Sequence, residues 1–385
     1  MGDKRARKPL LLPCLCLPLL FQSKVHASIN QSVELTYPRM PSSQKMYAKT
    51  WLPPQVHADR GVTGSTEQIE KRYPFKNLPK DWEGLYAPEN GVINVQLLLR
   101  TLYGLAKDYG AEASQYRIVQ SVEFNTGSKA WDVAANDNKG TPHNYQGRKI
   151  VITSGAYTNH VLQPNFGLSL DLDIWKMVAS YFSVNPGPSG VVFPSMWFQF
   201  QPEDPVTHRS NLFYGFPAVA WGPPNIARAA VDAATRPIKD PNERLANVVN
   251  PDDIKGTQDF INAHVVGVDS TVPAFTLSCL QTNVVDNNFV LDCLPEKYLK
   301  GGPKNSIALF CAGWAMKFVP TLGRTLKEMV LDRGSKTVPA KTMEHFAVTR
   351  DGVIAGRRMT SGDSIFAFKR QAHGSSMQGT HNMGH

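Results

Sequence analysis

The sequence predicts an α/β (α+β) fold in which a lobe of alternating helices and strands is interrupted by a lobe built on an antiparallel sheet. Helix and strand patterns alternate over residues 89–170 and again over 279–350. Residues 171–278 instead carry short strand patterns separated by loops rich in Pro and Gly. With 385 residues, of which 42% are hydrophobic and 19% charged, the chain can bury a core in each lobe.

The beginning of the chain has the layout of a secretory signal peptide. Within residues 1–28, basic residues precede the apolar run 9–21, and the small residue Ala27 follows at a suitable cleavage point. The run is too short to span a bilayer as a helix, and it contains prolines. A wrongly assigned or unstructured start fits the same residues equally well. No later stretch predicts a stable membrane span.

The first elements after this start are two helices. Residues 65–72 open with a capping box, Ser65 to Gln68, and stop before Pro74, which predicts a short helix. Apolar residues recur at helical spacing over 95–109 and stop at Gly110. We assign residues 29–88 to the N-terminal part of the antiparallel lobe and residues 89–170 to the first part of the alternating lobe.

Strands follow the second helix. Residues 118–124, 130–134 and 149–153 have the length and β-branched content of strands, and the last leads into the small residues of 154–156. A helix followed by strands and a small-residue turn is typical of the later part of a dinucleotide-binding fold.

The antiparallel lobe and the return to the alternating lobe follow in order. Strands are predicted at 174–182, 196–200, 211–216 and 227–233, and a helix at 251–263. In the second part of the alternating lobe, residues 279–350, we predict strands at 289–292 and 306–313 and a helix at 319–332. Residues 351–385 are expected to form a tail.

Charge and cysteine content narrow the possible ligands. The net charge of +9 favours anions such as a dinucleotide diphosphate, a carboxylate, nucleic acid or an acidic membrane. Lys and Arg are scattered, except at the very start, so no basic stripe predicts nucleic-acid binding. The five cysteines match no zinc spacing, and we predict no metal site.

Several separate blocks within residues 62–350 resemble the FAD-dependent amine oxidases of the monomeric sarcosine oxidase, pipecolate oxidase and N-methyl amino acid oxidase family. The blocks are 69–74 with 83–92, 121–123, 152–158, 213–217, 278–295 and 312–323. Block 278–295 is the most specific, because it is similar to the family pattern Cys-x-x-Thr-x-x-x-Asp-x-x-Phe-x-x-Asp. The resemblance implies an FAD-binding Rossmann-like lobe with an antiparallel-sheet substrate lobe inserted.

The resemblance also implies a set of FAD-binding residues. In the family the cysteine that matches Cys279 forms a thioether with the flavin, and a thiolate is a suitable nucleophile where positive charge lowers its pKa. An arbitrary cysteine is more often a buried apolar residue, but the surrounding pattern favours the flavin bond here. The remaining cofactor-binding candidates are Val122 at the adenine, Gly155 and Ala156 beside the flavin, and Gly313 and Met316 in the turn before the last helix.

Three further residues are implied as catalytic. Lys317 is similar to a family lysine that can neutralise a substrate carboxylate. Tyr214 matches a tyrosine that lines the amine pocket, although a lone Tyr is as often part of a sheet core. Arg228 is the counterpart of a family lysine whose charge helps O2 to accept electrons. Trp314 and Ala315 depart from the family's histidine and glycine, so we expect a reshaped pocket.

The function implied is oxidation of the C–N bond of a secondary or primary amine or amino acid, with O2 as acceptor, by a monomer. The family begins with Gly-x-Gly-x-x-Gly, whose amides hold the FAD diphosphate, and no such motif occurs in this sequence. The FAD-binding lobe is therefore expected to be N-terminally incomplete. This leaves open a truncated, catalytically inactive remnant of such an oxidase and, last in order, a secreted binding module.

Overall fold

We describe a computed structural model of the protein, covering residues 34–38, 62–80, 82–86, 92–185, 197–200, 212–231, 236–244, 248–332 and 334–356. The strands are β1 (Glu34–Pro38), β2 (Val62–Ser65), β3 (Trp82–Tyr86), β4 (Ile118–Asn125), β5 (Ala130–Asn136), β6 (Pro142–Gly147), β7 (Ile150–Ile152), β8 (Asp173–Ser183), β9 (Trp197–Phe200), β10 (Leu212–Phe216), β11 (Ile226–Val231), β12 (Arg236–Ile238), β13 (Phe275–Asn283), β14 (Val290–Cys293) and β15 (Ile307–Cys311).

The α-helices of the described residues are α1 (Thr66–Arg72), α2 (Val95–Asp108), α3 (Thr158–Phe166), α4 (Pro251–His264), α5 (Val319–Leu331) and α6 (Ala340–Glu344). The capping box predicted at Ser65 is present, since Ser65 and Gln68 exchange side-chain and backbone hydrogen bonds. None of these helices is both long and apolar enough to cross a bilayer. Each helix and strand predicted from the sequence has a counterpart in the structure, whereas β1 to β3, β6, β12, β13, α3 and α6 were not predicted.

The inserted lobe is built on a nine-stranded sheet. Its order is β12-β8-β11-β10-β9-β1-β3-β2, and β13 pairs with the other edge of β8. Strands β1 to β3 belong to this sheet, and the assignment of residues 29–88 to the substrate lobe stays a prediction. The sheet runs on through β13, so the predicted boundary after residue 278 falls inside a strand.

The alternating lobe contains two smaller sheets around one core. In the first, β15 lies between β14 and β7, antiparallel to β14 and parallel to β7. The second is the antiparallel meander β4-β5-β6. Buried side chains from both sheets and from α3 pack together, and Trp131 and Leu162 are among those fully enclosed. This packing joins the parts on either side of the insertion into one lobe.

The end of the described chain belongs to this core. Val353 and Ile354, which the sequence analysis places in the tail, are buried within it. A bridge between Leu170 and Ile354 and the bond from the Ala355 N–H to the Ser169 carbonyl hold the segment in place. The assignment of residues 351–385 to a tail is therefore wrong for the first of these residues, because their apolar side chains complete the core.

One face of the substrate-lobe sheet is covered by α4. Phe182, Phe213 and Ala229 pack on this side against Phe260 and neighbouring residues of the helix, and the Phe213 and Phe260 rings stack with centroids 4.2 Å apart. Side chains alternate between the two faces of a strand, so the neighbours of these residues along each strand point to the opposite face. That opposite face, which we call the open face, carries the candidate site.

Candidate functional site

The open face carries a row of four side chains, here called the ladder, that stand directly opposite one another on adjacent strands. Phe275 on β13 pairs with Tyr181 on β8, Tyr181 with Arg228 on β11, and Arg228 with Phe216 on β10. Residues paired in this way across antiparallel strands project to the same side of the sheet. Three aromatic rings and one guanidinium therefore form a continuous line across four strands.

Two further rows run beside the ladder. Leu277, Ala179, Ala230 and Tyr214 form the next row, and Cys279 faces Met177 in the row beyond it. The predicted residues Cys279, Arg228 and Tyr214 thus share one face. The two alanines in the middle row, Ala179 and Ala230, are buried and place little side-chain volume beside the ladder.

Arg228 is held in the ladder by rings and by one hydrogen bond. Its Nη2 donates to the Tyr214 hydroxyl at 3.1 Å, and its guanidinium carbon lies 5.3 to 5.9 Å from the ring centres of Phe216, Tyr214 and Tyr181. Its Nε is buried without a hydrogen-bond partner, and no carboxylate among the described residues forms an ion pair with it. The guanidinium is thus a fixed positive charge without a counter-ion in this part of the chain.

The thiol of Cys279 lies close to two arginines. The residue is exposed on β13, yet partial burial of the sulfur raises the pKa of the thiol. Arg228 and Arg244 oppose this effect and lower the pKa, but burial is the larger influence. The positive charge expected beside the cysteine is therefore present, although it does not bring the pKa below that of an ordinary thiol.

Of the other two described cysteines, Cys311 is buried and Cys293 is partly buried. Cys311 is 1% exposed, and burial raises the pKa of its thiol. Burial and the neighbouring Asp292 carboxylate raise the pKa of Cys293 to about 11. Both fit the interpretation that they are core residues, and neither thiol is suited to act as a nucleophile.

A 3-10 turn, Gly155–Tyr157, follows the carboxyl end of β7 and lies against β13. Gly155 adopts φ +56°, and a Cβ at this position would project into open space. Its carbonyl accepts hydrogen bonds from the Thr158 hydroxyl at 2.7 Å and the Cys311 thiol at 3.4 Å. Ala156 is buried, so the turn presents backbone rather than side chain near the open face.

A second turn follows the neighbouring parallel strand, β15. Ala312 and Gly313 both have positive φ, +68° and +75°, and the Gly313 N–H donates to the Thr282 carbonyl at 3.1 Å. This bond ties the turn to the end of the strand that carries Cys279. A Cβ on Gly313 would lie 2.6 Å from Cε1 of Phe289, so the glycine is required by packing inside the protein.

The side chains after this turn are exposed. Trp314, Met316 and Phe318 are each about two-fifths exposed, at 43%, 39% and 43%. Lys317 is also exposed, with its Nζ 5.9 Å from the Trp314 ring centre and 5.8 Å from that of Phe318. Trp314, Met316 and Phe318 thus form an exposed apolar stretch around one cation, of the kind that marks a ligand site.

Val122 lies apart from the other candidates, on β4 in the meander. Its side chain is 5% exposed, and its N–H donates to Oδ1 of Asn165 on α3 at 2.7 Å. The backbone amide expected to meet an adenine is therefore already used within the lobe. A role for Val122 at the adenine stays a prediction.

The acidic and aromatic residues of block 278–295 stabilise the segments next to the site through hydrogen bonds and packing. Asp286 accepts hydrogen bonds from Nε and Nη2 of Arg350 at 2.7 and 2.9 Å. Asp292 accepts from the Val348 N–H at 3.0 Å, and Phe289 fills the space under Gly313. The motif thus fastens residues 348–350 to the strand β14 and fixes the turn that carries Lys317.

Sequence reasoning missed the ladder residues Tyr181, Phe216 and Phe275, and also Arg244. Arg244 donates from Nη1 to the Ser278 carbonyl at 3.0 Å, next to Cys279. The only signal for the aromatic residues was their strand periodicity, which does not reveal the register between strands that lie far apart in the chain.

Comparisons with known proteins give matches over most of the chain. A protein-family model described as FAD dependent oxidoreductase matches residues 25–329. A Dictyostelium discoideum protein named as a bifunctional amine oxidase is 42% identical over 294 residues, which is 74% of this chain and 26% of that protein. Human peroxisomal sarcosine oxidase is 27% identical over 292 residues, covering 74% of this chain and 67% of the enzyme.

A solved structure shares the fold. The open form of NikD, described as an unusual amino acid oxidase essential for nikkomycin biosynthesis, superposes with a TM-score of 0.68 at 23% identity, over 90% of this chain and 82% of NikD. At this identity the likeness shows the fold alone. The chain spans about a quarter of the Dictyostelium relative and 62% of monomeric sarcosine oxidase from Bacillus sp. (strain B-0618), to which it is 21% identical.

Proposed function

The chain belongs to the family of FAD-dependent oxidoreductases, and from that premise we propose that it oxidises the C–N bond of a secondary or primary amine or amino acid. O2 is the electron acceptor, and the products are an imine and H2O2. The observation that carries the proposal is the meeting of Cys279, Arg228 and Tyr214 on one open face beside the turns at Gly155 and Gly313. The names of the relatives, amine and sarcosine oxidases, support the same reaction.

The open face suits the ring end of FAD. The alanines of the middle row give a flat floor, and backbone turns at the carboxyl ends of two parallel strands adjoin it, which is where α/β folds bind ligands. Gly155, Ala156, Gly313 and Met316 would hold the cofactor from these turns. When bound, FAD supplies a two-electron acceptor, while the protein supplies orientation and charge.

Cys279 is the proposed point of covalent attachment. Its thiol would supply the sulfur of a C–S bond to the flavin, and O2 would take up the two hydrogens released as H2O2. The exposed position of Cys279 on the open face supports this role, and so do the charges of Arg228 and Arg244 beside it. Val122 is the proposed contact for the adenine.

Lys317 is the proposed anchor for a substrate carboxylate. Its ammonium group is exposed and forms no ion pair with any described carboxylate, so it is available to a ligand. The rings of Trp314 and Phe318 lie beside the ammonium group and attract it through cation–π interactions, which favours its position next to these apolar side chains. A lysine in this position can bind a carboxylate as a point charge.

Arg228 and Tyr214 form the other side of the proposed pocket. The positive charge of the Arg228 guanidinium can stabilise negative charge that develops as O2 is reduced. Tyr214 forms the pocket wall and accepts a hydrogen bond from Arg228. The contribution of the arginine is electrostatic.

A second candidate is a chain without catalytic activity of its own. Helix α2 has no buried residue, and its apolar side chains Leu97 and Leu99 are 59% and 50% exposed. An apolar helix face that packs against none of the described residues favours weak or absent FAD binding. The visible spectrum of the purified protein distinguishes this case from the oxidase.

The oxidase is tested by H2O2 formation from sarcosine and from pipecolate, compared with dimethylamine, which has no carboxylate. We expect Lys317→Met to raise KM for the carboxylate substrates by about tenfold or more, since a charged hydrogen bond contributes about 1.5–3 kcal/mol. Lys304→Met is the matched control, because Lys304 forms only an exposed pair with Glu296.

A flavin-free protein, or one that yields no H2O2 from any of the three amines, would refute the proposal. An equal effect of Lys317→Met and Lys304→Met would refute the role of Lys317 alone.

A further inference from the structure

Tyr181, in the ladder on the open face, lies between the Phe275 ring and the Arg228 guanidinium. The rings of Tyr181 and Phe275 stack with centroids 4.3 Å apart and planes 15° from parallel. On its other side Tyr181 faces the Arg228 guanidinium, whose carbon lies 5.9 Å from the centre of the Tyr181 ring. The same carbon lies 5.3 Å from the centre of the Phe216 ring. None of the three aromatic residues has a role in the reaction proposed above.

We propose that Tyr181, Phe275 and Phe216 are positioning residues that hold the Arg228 guanidinium over the open face, two rows from Cys279, so that its positive charge acts on the thiol. This inference deepens the proposed function, because attachment of the cofactor at Cys279 requires the thiolate.

The rings are the main support of Arg228. A free arginine side chain has many rotamers, and fixing it in one of them costs entropy that its contacts must offset. Among the described residues Arg228 has no ion pair, its Nε has no partner, and its one hydrogen bond goes to Tyr214. Phe275 stacks against Tyr181 and restrains its ring, and the Tyr181 ring in turn restrains the Arg228 guanidinium.

Among the described residues, the charged groups that act on Cys279 are Arg228 from β11 and Arg244 from the loop after β12. Both lower the pKa of the thiol, against the larger effect of burial. Arg244 is held separately, through its bond to the Ser278 carbonyl. Loss of the ladder should therefore displace one of the two arginine charges that lower the pKa of the thiol and leave the other in place. We expect a partial rise of the pKa.

The experiment follows alkylation of Cys279 by iodoacetamide, in which sulfur bonds to carbon and iodide leaves. Peptide-resolved mass spectrometry of the purified full chain separates Cys279 from the other cysteines, and the rate is measured from pH 6 to pH 10, a window around the usual thiol pKa of about 8.5. The variants are Tyr181→Ala, Tyr181→Phe and, as a control on the same face next to Cys279, Leu277→Ala. Protein that already carries flavin on Cys279 is quantified in the same digests.

We expect Tyr181→Ala to slow alkylation at pH 8 by about threefold or more and to move the midpoint of the pH profile upward, because the thiol loses part of a nearby positive charge. Tyr181→Phe should match the wild type, since the ring is kept. Leu277→Ala should not slow the reaction, because it only opens access to the thiol.

An unchanged midpoint in Tyr181→Ala would overturn the inference. Should that variant fail to fold, as judged by circular dichroism, Phe275→Leu replaces it, and an upward shift of the midpoint is again required. A wild-type protein with no flavin on Cys279 would refute the proposed attachment, whereas the pH profile would still decide the role of the ladder. The two failures are thus distinguishable.

Discussion

Replacement of Gly313 by alanine should both destabilise the protein and disturb the site. Gly313 has φ +75°, and a Cβ built on it would lie 2.6 Å from Cε1 of Phe289, where no real Cβ fits. The left-handed backbone costs a residue with a side chain about 1–2 kcal/mol. Overpacking costs about 1–3 kcal/mol more. We therefore expect Gly313→Ala to lower the free energy of unfolding by about 2–5 kcal/mol.

The matched control is Gly323→Ala in the helix α5. Gly323 is exposed, and a Cβ there would have no heavy atom within 4 Å. Alanine is favoured over glycine in a helix by about 0.5–1 kcal/mol, so this variant should be slightly more stable than the wild type. The same substitution thus has opposite signs at the two positions.

Urea unfolding followed by circular dichroism measures both variants. Adding Phe289→Leu to Gly313→Ala should recover part of the lost stability, because the smaller side chain makes room for the new methyl group. If Gly313→Ala and Gly323→Ala changed the free energy of unfolding equally, Phe289 would not pack under the turn as described.

Two further predictions concern buried hydrogen-bond networks. Although desolvation raises the pKa of Glu328, hydrogen bonds from Thr337, Lys336 and Ser335 lower it to about 2, from an ordinary 4.5. The stabilisation is present above pH 4.5, the ordinary value, and is lost as the pH falls towards 2. Glu328→Gln should therefore cost about 2 kcal/mol at pH 7 and should flatten the acid limb of a plot of Tm against pH. Asp286→Asn should cost about 1–3 kcal/mol by weakening the pair with Arg350, and a loss below 0.5 kcal/mol in urea unfolding would contradict that contact.

Local structure could be predicted from the sequence because its signals are local. The capping box at Ser65 and the apolar spacing of residues 95–109 specify helices without reference to the rest of the chain. Strand β6 was missed because Pro142–Gly147 is polar and largely exposed, which gives no alternation. Helix α3 was missed because Pro164 lies inside it.

The candidate site was predictable only in part. Cys279, Arg228 and Tyr214 were found through motif resemblance, and strand register places them on one face. The ladder could not be found in this way, because Phe275 pairs with Tyr181 from a strand far earlier in the chain. Register between such strands is set by packing of the whole sheet, which no local pattern records.

Glycines illustrate the same limit. The resemblance points to Gly155 and Gly313 as residues close to a cofactor, but the two differ in the fold. A Cβ at Gly155 would meet open space, whereas one at Gly313 would meet the Phe289 ring. The missing side chain leaves open space at Gly155, whereas at Gly313 it makes room for the Phe289 ring, and a sequence motif cannot separate the two cases.

The most direct test of the account is mass spectrometry of a proteolytic digest of the purified protein. Seating of a flavin on the open face predicts that the peptide containing Cys279 carries the added mass of FAD or of its flavin fragment, and that Cys279→Ser removes this mass. A protein that holds flavin on another residue would contradict the placement of the site beside Cys279. The same would follow from wild-type protein in which this peptide is always unmodified.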